Sequence, residues 1–141
     1  MKKGDHKIIS EEILDGEVAT ADLASDAVTK AKIADEVVEK VILSAPVPAS
    51  DTFKWLADGA YTIVHVSFHN YGGADFTAAA SVTNAGSTVA SSSATLGADA
   101  VEEKESTDLS NTSVADGAEI NLNAGDQNTF IVVVMTKKVN T

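Results

Sequence analysis

The chain has no cysteine and no arginine, and only 2 prolines among its 141 residues. Without cysteine there is neither a disulfide framework nor a thiolate metal site. The 10 basic residues are all lysines and face 21 acids, a formal charge of -11, so the basic surface that phosphate backbones require is missing. Six lysines oppose ten acids before Asp51 and four oppose eleven from there on, so neither half supplies such a surface, and nucleic acid is not an expected partner. No apolar run is long enough to span a bilayer, and Met1-Lys2-Lys3-Gly4-Asp5-His6-Lys7 leads into acidic residues instead of an apolar signal core. The expectation is a chain with neither a membrane span nor a leader, beginning in a solvated arm.

What the chain does have is a repeat. Ile8, Ile13, Val18, Leu23, Val28, Ile33, Val38 and Leu43 put a branched apolar residue at every fifth position, between residues that are mostly Ala, Thr, Lys, Asp and Glu. The pattern resolves into decads, with Glu17 to Ala24 aligning on Ala27 to Ala34 and a third copy beginning at Val37. A step of five rotates a side chain by about 140° on a helix and alternates faces on a strand, so neither element alone gathers the stripe on one side. Thr20 and Thr29 read as N-caps, which predicts one or two helical turns per decad joined by extended links. Turns that short are unstable in water, and other copies wound about a common axis would bury the stripe.

Ser44-Ala45-Pro46-Val47-Pro48-Ala49-Ser50 holds both prolines and reads as a semi-rigid joint. The organisation expected is therefore arm and repeat over 1–45, a joint over 46–50, and a β domain over 51–141. In that domain the period changes to two. Tyr61 to His69 alternates, with Thr62, Val64, Val66 and Phe68 expected on one face and Tyr61, Ile63, His65, Ser67 and His69 on the other. Phe53 to Leu56 reads as a short strand that forms a hairpin with it through Asp58-Gly59. Asp75 to Val82 and Ser87 to Leu96 are weaker strands, the second at an edge, and residues 97–111 a solvent-facing acidic loop. Asn111 to Val114, Ala118 to Leu122 and Thr129 to Val139 complete the set. The last is too continuously apolar for a strand with one wet face and belongs mid-sheet. The fold class expected is mainly β, an antiparallel sandwich or jelly roll carrying an N-terminal repeat.

The decads Asp15-Gly16-Glu17-Val18-Ala19-Thr20-Ala21-Asp22-Leu23-Ala24 and Ala27-Val28-Thr29-Lys30-Ala31-Lys32-Ile33-Ala34-Asp35 resemble the "DGxVTTADLADGAVTTAKIAD" repeats of tailed-bacteriophage fibre and head-decoration proteins. Ile120-Asn121-Leu122-Asn123-Ala124-Gly125-Asp126, running into a final apolar strand, is similar to the "xLxAGD" ending of trimeric jelly-roll heads of the tumour-necrosis-factor-like type. The resemblance implies a homotrimeric virion protein with a slender anchor and a globular β head, its partner the major capsid or another virion protein. With about three decads, the stalk spans at most about 120 Å even if fully extended, which favours a place on the capsid surface or neck over a long fibre. The alternative is the receptor-binding tip of a tail fibre that recognises a cell-surface glycan. Exposed Trp55, Tyr61 and Tyr71 would serve it, although core or subunit packing explains such aromatics as well.

Catalytic signals are lacking. No Ser-His-acid arrangement with nucleophile-elbow spacing and no glycine-rich phosphate cradle is present, so the expectation is a non-enzymatic protein with no cofactor and no metal. His65 and His69, about 13 Å apart along one strand, cannot share an ion; only a symmetry-related ring of either could. Glu102, Glu103, Glu105 and Asp108 lack the alternating ligands and central glycine of a calcium loop.

Overall fold

The computed structural model describes residues 38–138. Ile8, Ile13, Val18, Leu23, Val28 and Ile33, and with them the expected helical turns, lie outside the described residues. The described strands, in chain order, are β1 (Val38–Val47), β2 (Thr52–Leu56), β3 (Tyr61–Asn70), β4 (Ser81–Asn84), β5 (Ser87–Ser91), β6 (Val101–Glu105), β7 (Ser113–Val114), β8 (Glu119–Asn123) and β9 (Thr129–Lys138). They form two antiparallel sheets. The large sheet runs β1-β9-β3-β6, with β7 beside the start of β3, and the small sheet runs β2-β8-β4-β5.

The inner faces of the two sheets meet in one apolar cluster. Phe68, Ile131, Val133 and Met135 enter it from the large sheet, Val82, Ile120 and Leu122 from the small one, and Phe76 and Leu96 from the connecting loops. Each such side chain contributes roughly 1.5–3 kcal/mol by leaving water, which ties the mainly β class to the alternating, β-branched composition. β9 lies between β1 and β3, mid-sheet as expected, and β5 lies at an edge. Between β4 and β5 the chain turns at Ala85 and Gly86, both at positive φ (47° and 83°), the two-residue geometry that suits the strand twist.

Several expectations differ from what is found. Val38 to Val47 was assigned to the third decad and the joint; it is the edge strand of the large sheet, paired with β9 from Val38↔Lys138 to Val47↔Thr129. Pro46 suits β1 because, among the described residues, that strand pairs with β9 alone and stands at a sheet edge, where proline is tolerated. β2 and β3 do not form a hairpin: β2 pairs with β8 and β3 with β9, so Asp58-Gly59 carries the chain from one sheet to the other. In β3 the register shifts between Ile63 and His65, and Val64 is the extra residue. That bulge resets the alternation, so Tyr61 and Ile63 share the core side with Val66, Phe68 and Asn70, while His65, Ser67 and His69 face outward.

The acidic stretch assigned to a loop contains β6. Its outward residues Val101, Glu103 and Glu105 are exposed, and the inward ones are Glu102 and Lys104, which pair with each other at 2.6 Å. With no apolar inward face, the strand carries no hydrophobic alternation; the inward charges also protect the edge from pairing with other chains. Residues 75–80, expected as strand, are irregular, because Asp126 ties down Thr77 and Ala78 there.

Candidate functional site

The two sheets turn very different backs outward. On the large sheet, antiparallel register puts rows of outward residues side by side: Ile42, Val134, His65 and Glu105; Ser44, Val132, Ser67 and Glu103; Pro46, Phe130, His69 and Val101. Phe130, Val132 and Val134 on the central strand are only half-buried, Ile42 is 61% exposed and Val101 58% exposed. On the small sheet the corresponding rows are Lys54, Asn121 and Thr83, and Thr52, Asn123 and Ser81. That face is held by polar contacts: the Thr52 hydroxyl donates to Asn123 Oδ1 at 2.9 Å, and Asn123 Nδ2 donates to Ser81 Oγ at 3.2 Å. Its main apolar exposure is Leu56, at its rim.

Of the three aromatic candidates, Trp55 and Tyr61 come together and Tyr71 lies apart. Tyr61 is buried, only 8% exposed, its hydroxyl donating to the Asp58 carboxylate and its ring beneath Lys137 Nζ at 5.8 Å. Trp55 is half-buried against Tyr61, with ring centroids 5.8 Å apart. Accepting that hydrogen bond, the Asp58 carboxylate raises the Tyr61 pKa, and burial adds to the rise. Tyr71 follows the other end of β3, roughly 30 Å away along the strand. It is 39% exposed and touches His69, with centroids 6.3 Å apart. Of the stripe positions within the described residues, Leu43 lies on the inward side of β1 and Val38 lies outward.

His65 and His69 share the large sheet's back. His65 Nδ1 sits 3.6 Å from Glu105 Oε1, an exposed pairing of small energetic weight. Among the described residues, no three His, Asp or Glu side chains converge as a metal site would require. Glu102 is held below its ordinary carboxylate range. Burial alone would push it up, but donation from Lys104 and from the Ser93 N–H, which it accepts at 2.6 Å, outweighs that. A cleft of about 370 Å³ is lined by Val38, Tyr61, Thr62, Ser113 and Lys137.

The Ala124-Gly125-Asp126 phrase proves to be structural. Asp126 accepts from the Thr77 hydroxyl at 2.6 Å and from the Thr77 and Ala78 N–H groups at 2.9 and 3.1 Å, and these bonds, the hydroxyl's first, lower its pKa to about 2. Gly125 packs so closely that a Cβ would stand 2.3 Å from the Ala78 carbonyl oxygen. At the same end, Asn70 Nδ2 reaches the carbonyls of Ala74, Leu96 and Gly97 at 2.9, 3.0 and 3.1 Å. Sequence reasoning singled out neither Asn70 nor the apolar back of the large sheet. The second was within reach in the run from Phe130 to Met135, once that strand's neighbours were known. No family model and no curated protein matches the sequence.

Proposed function

We propose that the chain is a non-enzymatic structural protein of a bacteriophage particle, a capsid-decoration or head-fibre protein that assembles as a homotrimer. The segment before the head anchors it to the major capsid protein or another virion protein and winds with its copies; the β domain is the displayed head. The observation that carries this reading is the pentad stripe from Ile8 to Ile33, a spacing that neither a helix nor a strand gathers on one side and that leads in sequence into a two-sheet β domain. The strand order, β1-β9-β3-β6 in one sheet and β2-β8-β4-β5 in the other, supports an eight-stranded jelly roll to which β7 is a short addition. Since Val38 to Val47 belongs to the head, the anchor is the shorter segment that precedes it.

The glycan-binding tip is less well supported, because it needs exposed aromatics, and of the three candidates only Tyr71 is exposed. Folding and association are coupled where apolar stripes are buried only by assembly. Purified whole chain therefore sediments as a trimer at micromolar concentration, and removal of residues 1–14 abolishes attachment to particles that lack it. A stable monomer, or a truncated chain that still decorates particles, refutes the reading.

A further inference from the structure

We infer that the back of the large sheet is the surface on which a second copy of this chain packs, head to tail, with the β1 edge of one copy meeting the β6 edge of the next. The inference rests on the homotrimer proposed above and names the surface that holds the heads together.

The first support is the contrast of the two backs. An antiparallel sheet with one wet face alternates, as β8 does: Ile120 and Leu122 point in, and Glu119, Asn121 and Asn123 point out. β9 does not. Its inward Ile131, Val133 and Met135 are fully buried and suffice for the core, yet Phe130, Val132 and Val134 carry apolar bulk outward as well. Ile42 on β1 and Val101 on β6 extend that surface to both edges of the sheet, and polar residues rim it, the form that contact surfaces take.

The second support is charge. At the β1 edge the outward residue beside Ile42 is Lys40, whereas at the β6 edge the outward residues are Glu103 and Glu105. One face thus ends in opposite charges, which match when the same face of the next copy is rotated past it and repel when like edges meet. That is complementarity of a heterologous contact, the kind that closes into a ring. The third support is position. The residues before Val38 join the head on β1, at an edge of this sheet and on the far side of the core from the small sheet's back. Copies joined through the repeat are therefore tethered at the large sheet, not at the small sheet's back.

The test is the mass of the full-length chain in sedimentation equilibrium, with circular dichroism to check folding. Val134→Glu places an unpaired carboxylate in the contact and weakens association by at least about tenfold. Thr83→Glu, on the small sheet's back, leaves the mass unchanged. Lys40→Glu alone, and Glu103→Lys with Glu105→Lys, each weaken the trimer, while all three substitutions together restore it. That rescue keeps the test decisive if Val134→Glu fails to fold. A wild-type trimer that survives Val134→Glu, or a combined variant no better than its parts, overturns this surface and leaves the repeat as the seat of trimerisation. The same result follows if residues 1–37 of the same chain, or another virion protein, cover the face. A wild-type monomer overturns the homotrimer itself.

Discussion

On the back of the large sheet the central strand carries Phe130, Val132 and Val134, whereas the back of the small sheet carries Asn121, Asn123, Thr83 and Lys54. Both sheets contribute apolar side chains to one core, so the difference is not about forming the sandwich. Outward apolar bulk on a mid-sheet strand adds little to a fold whose inner residues are already dry. A β domain standing alone in water would do with two backs like that of the small sheet.

That shared interior is the first part of the comparison to break, and the effect there is largest. Phe68→Ala from the large sheet is expected to cost about 3–5 kcal/mol, and Leu122→Ala from the small sheet about 2–5 kcal/mol, in urea unfolding. A loss under about 1 kcal/mol for either would mean that the sheets do not share one close-packed interior.

Two glycines separate close approach from open turn. Gly125→Ala should cost about 1–3 kcal/mol, because the new Cβ meets the Ala78 carbonyl with no room to relax. Gly73→Ala, with nothing within 4 Å, should fall within about 0.5 kcal/mol of wild type. Equal effects would remove the argument that the Ala-Gly-Asp phrase exists to seat the 77–80 loop.

The edges sharpen the contrast further. Replacing Glu102 and Lys104 together by valine should leave stability within about 1 kcal/mol, since a paired charge is often matched by apolar packing. The apolar β6 edge so produced should pair with other chains, seen as species larger than the native assembly in light scattering. Unchanged mass would mean that the inward charges do not guard that edge.

The smallest effect is in acid. The Asp126 pKa is lowered from 3.8 to about 2, so its bonds to Thr77 and Ala78 stabilise the fold above pH 4 and are lost as pH falls from about 4 to 2. Glu102, also lowered, acts in the same direction. Asp126→Asn should flatten the acid limb of a melting-temperature profile over that window and shift the Thr77 and Ala78 amide resonances. A wild-type limb in the variant would show that other carboxylates set acid sensitivity.

Much of this was legible in the sequence. Period two located β3 and β8, and the continuous apolar run located β9 and its place mid-sheet. β6 was missed because a strand whose inward pair is Glu102 and Lys104 has no hydrophobic alternation to detect. The two faces expected for β3 mix at Tyr61 and Ile63, because one bulged residue, Val64, inverts every face that precedes it. Val38 to Val47 was divided between repeat and joint because a period of five and a period of two coincide there, and two prolines looked like a boundary.

By itself, then, the sequence determined a mainly β domain, its punctuation by Asp-Gly and Asn-Ala-Gly turns, and the pentad stripe that leads into it, since all three depend on local spacing. Only the tertiary structure decided which strands share a sheet, that the stripe's last two positions belong to the head, and that one back is apolar and the other polar. Those depend on which distant residues stand side by side, as Ile42, Val134 and His65 do, and local periodicity carries no information about a neighbour from another part of the chain.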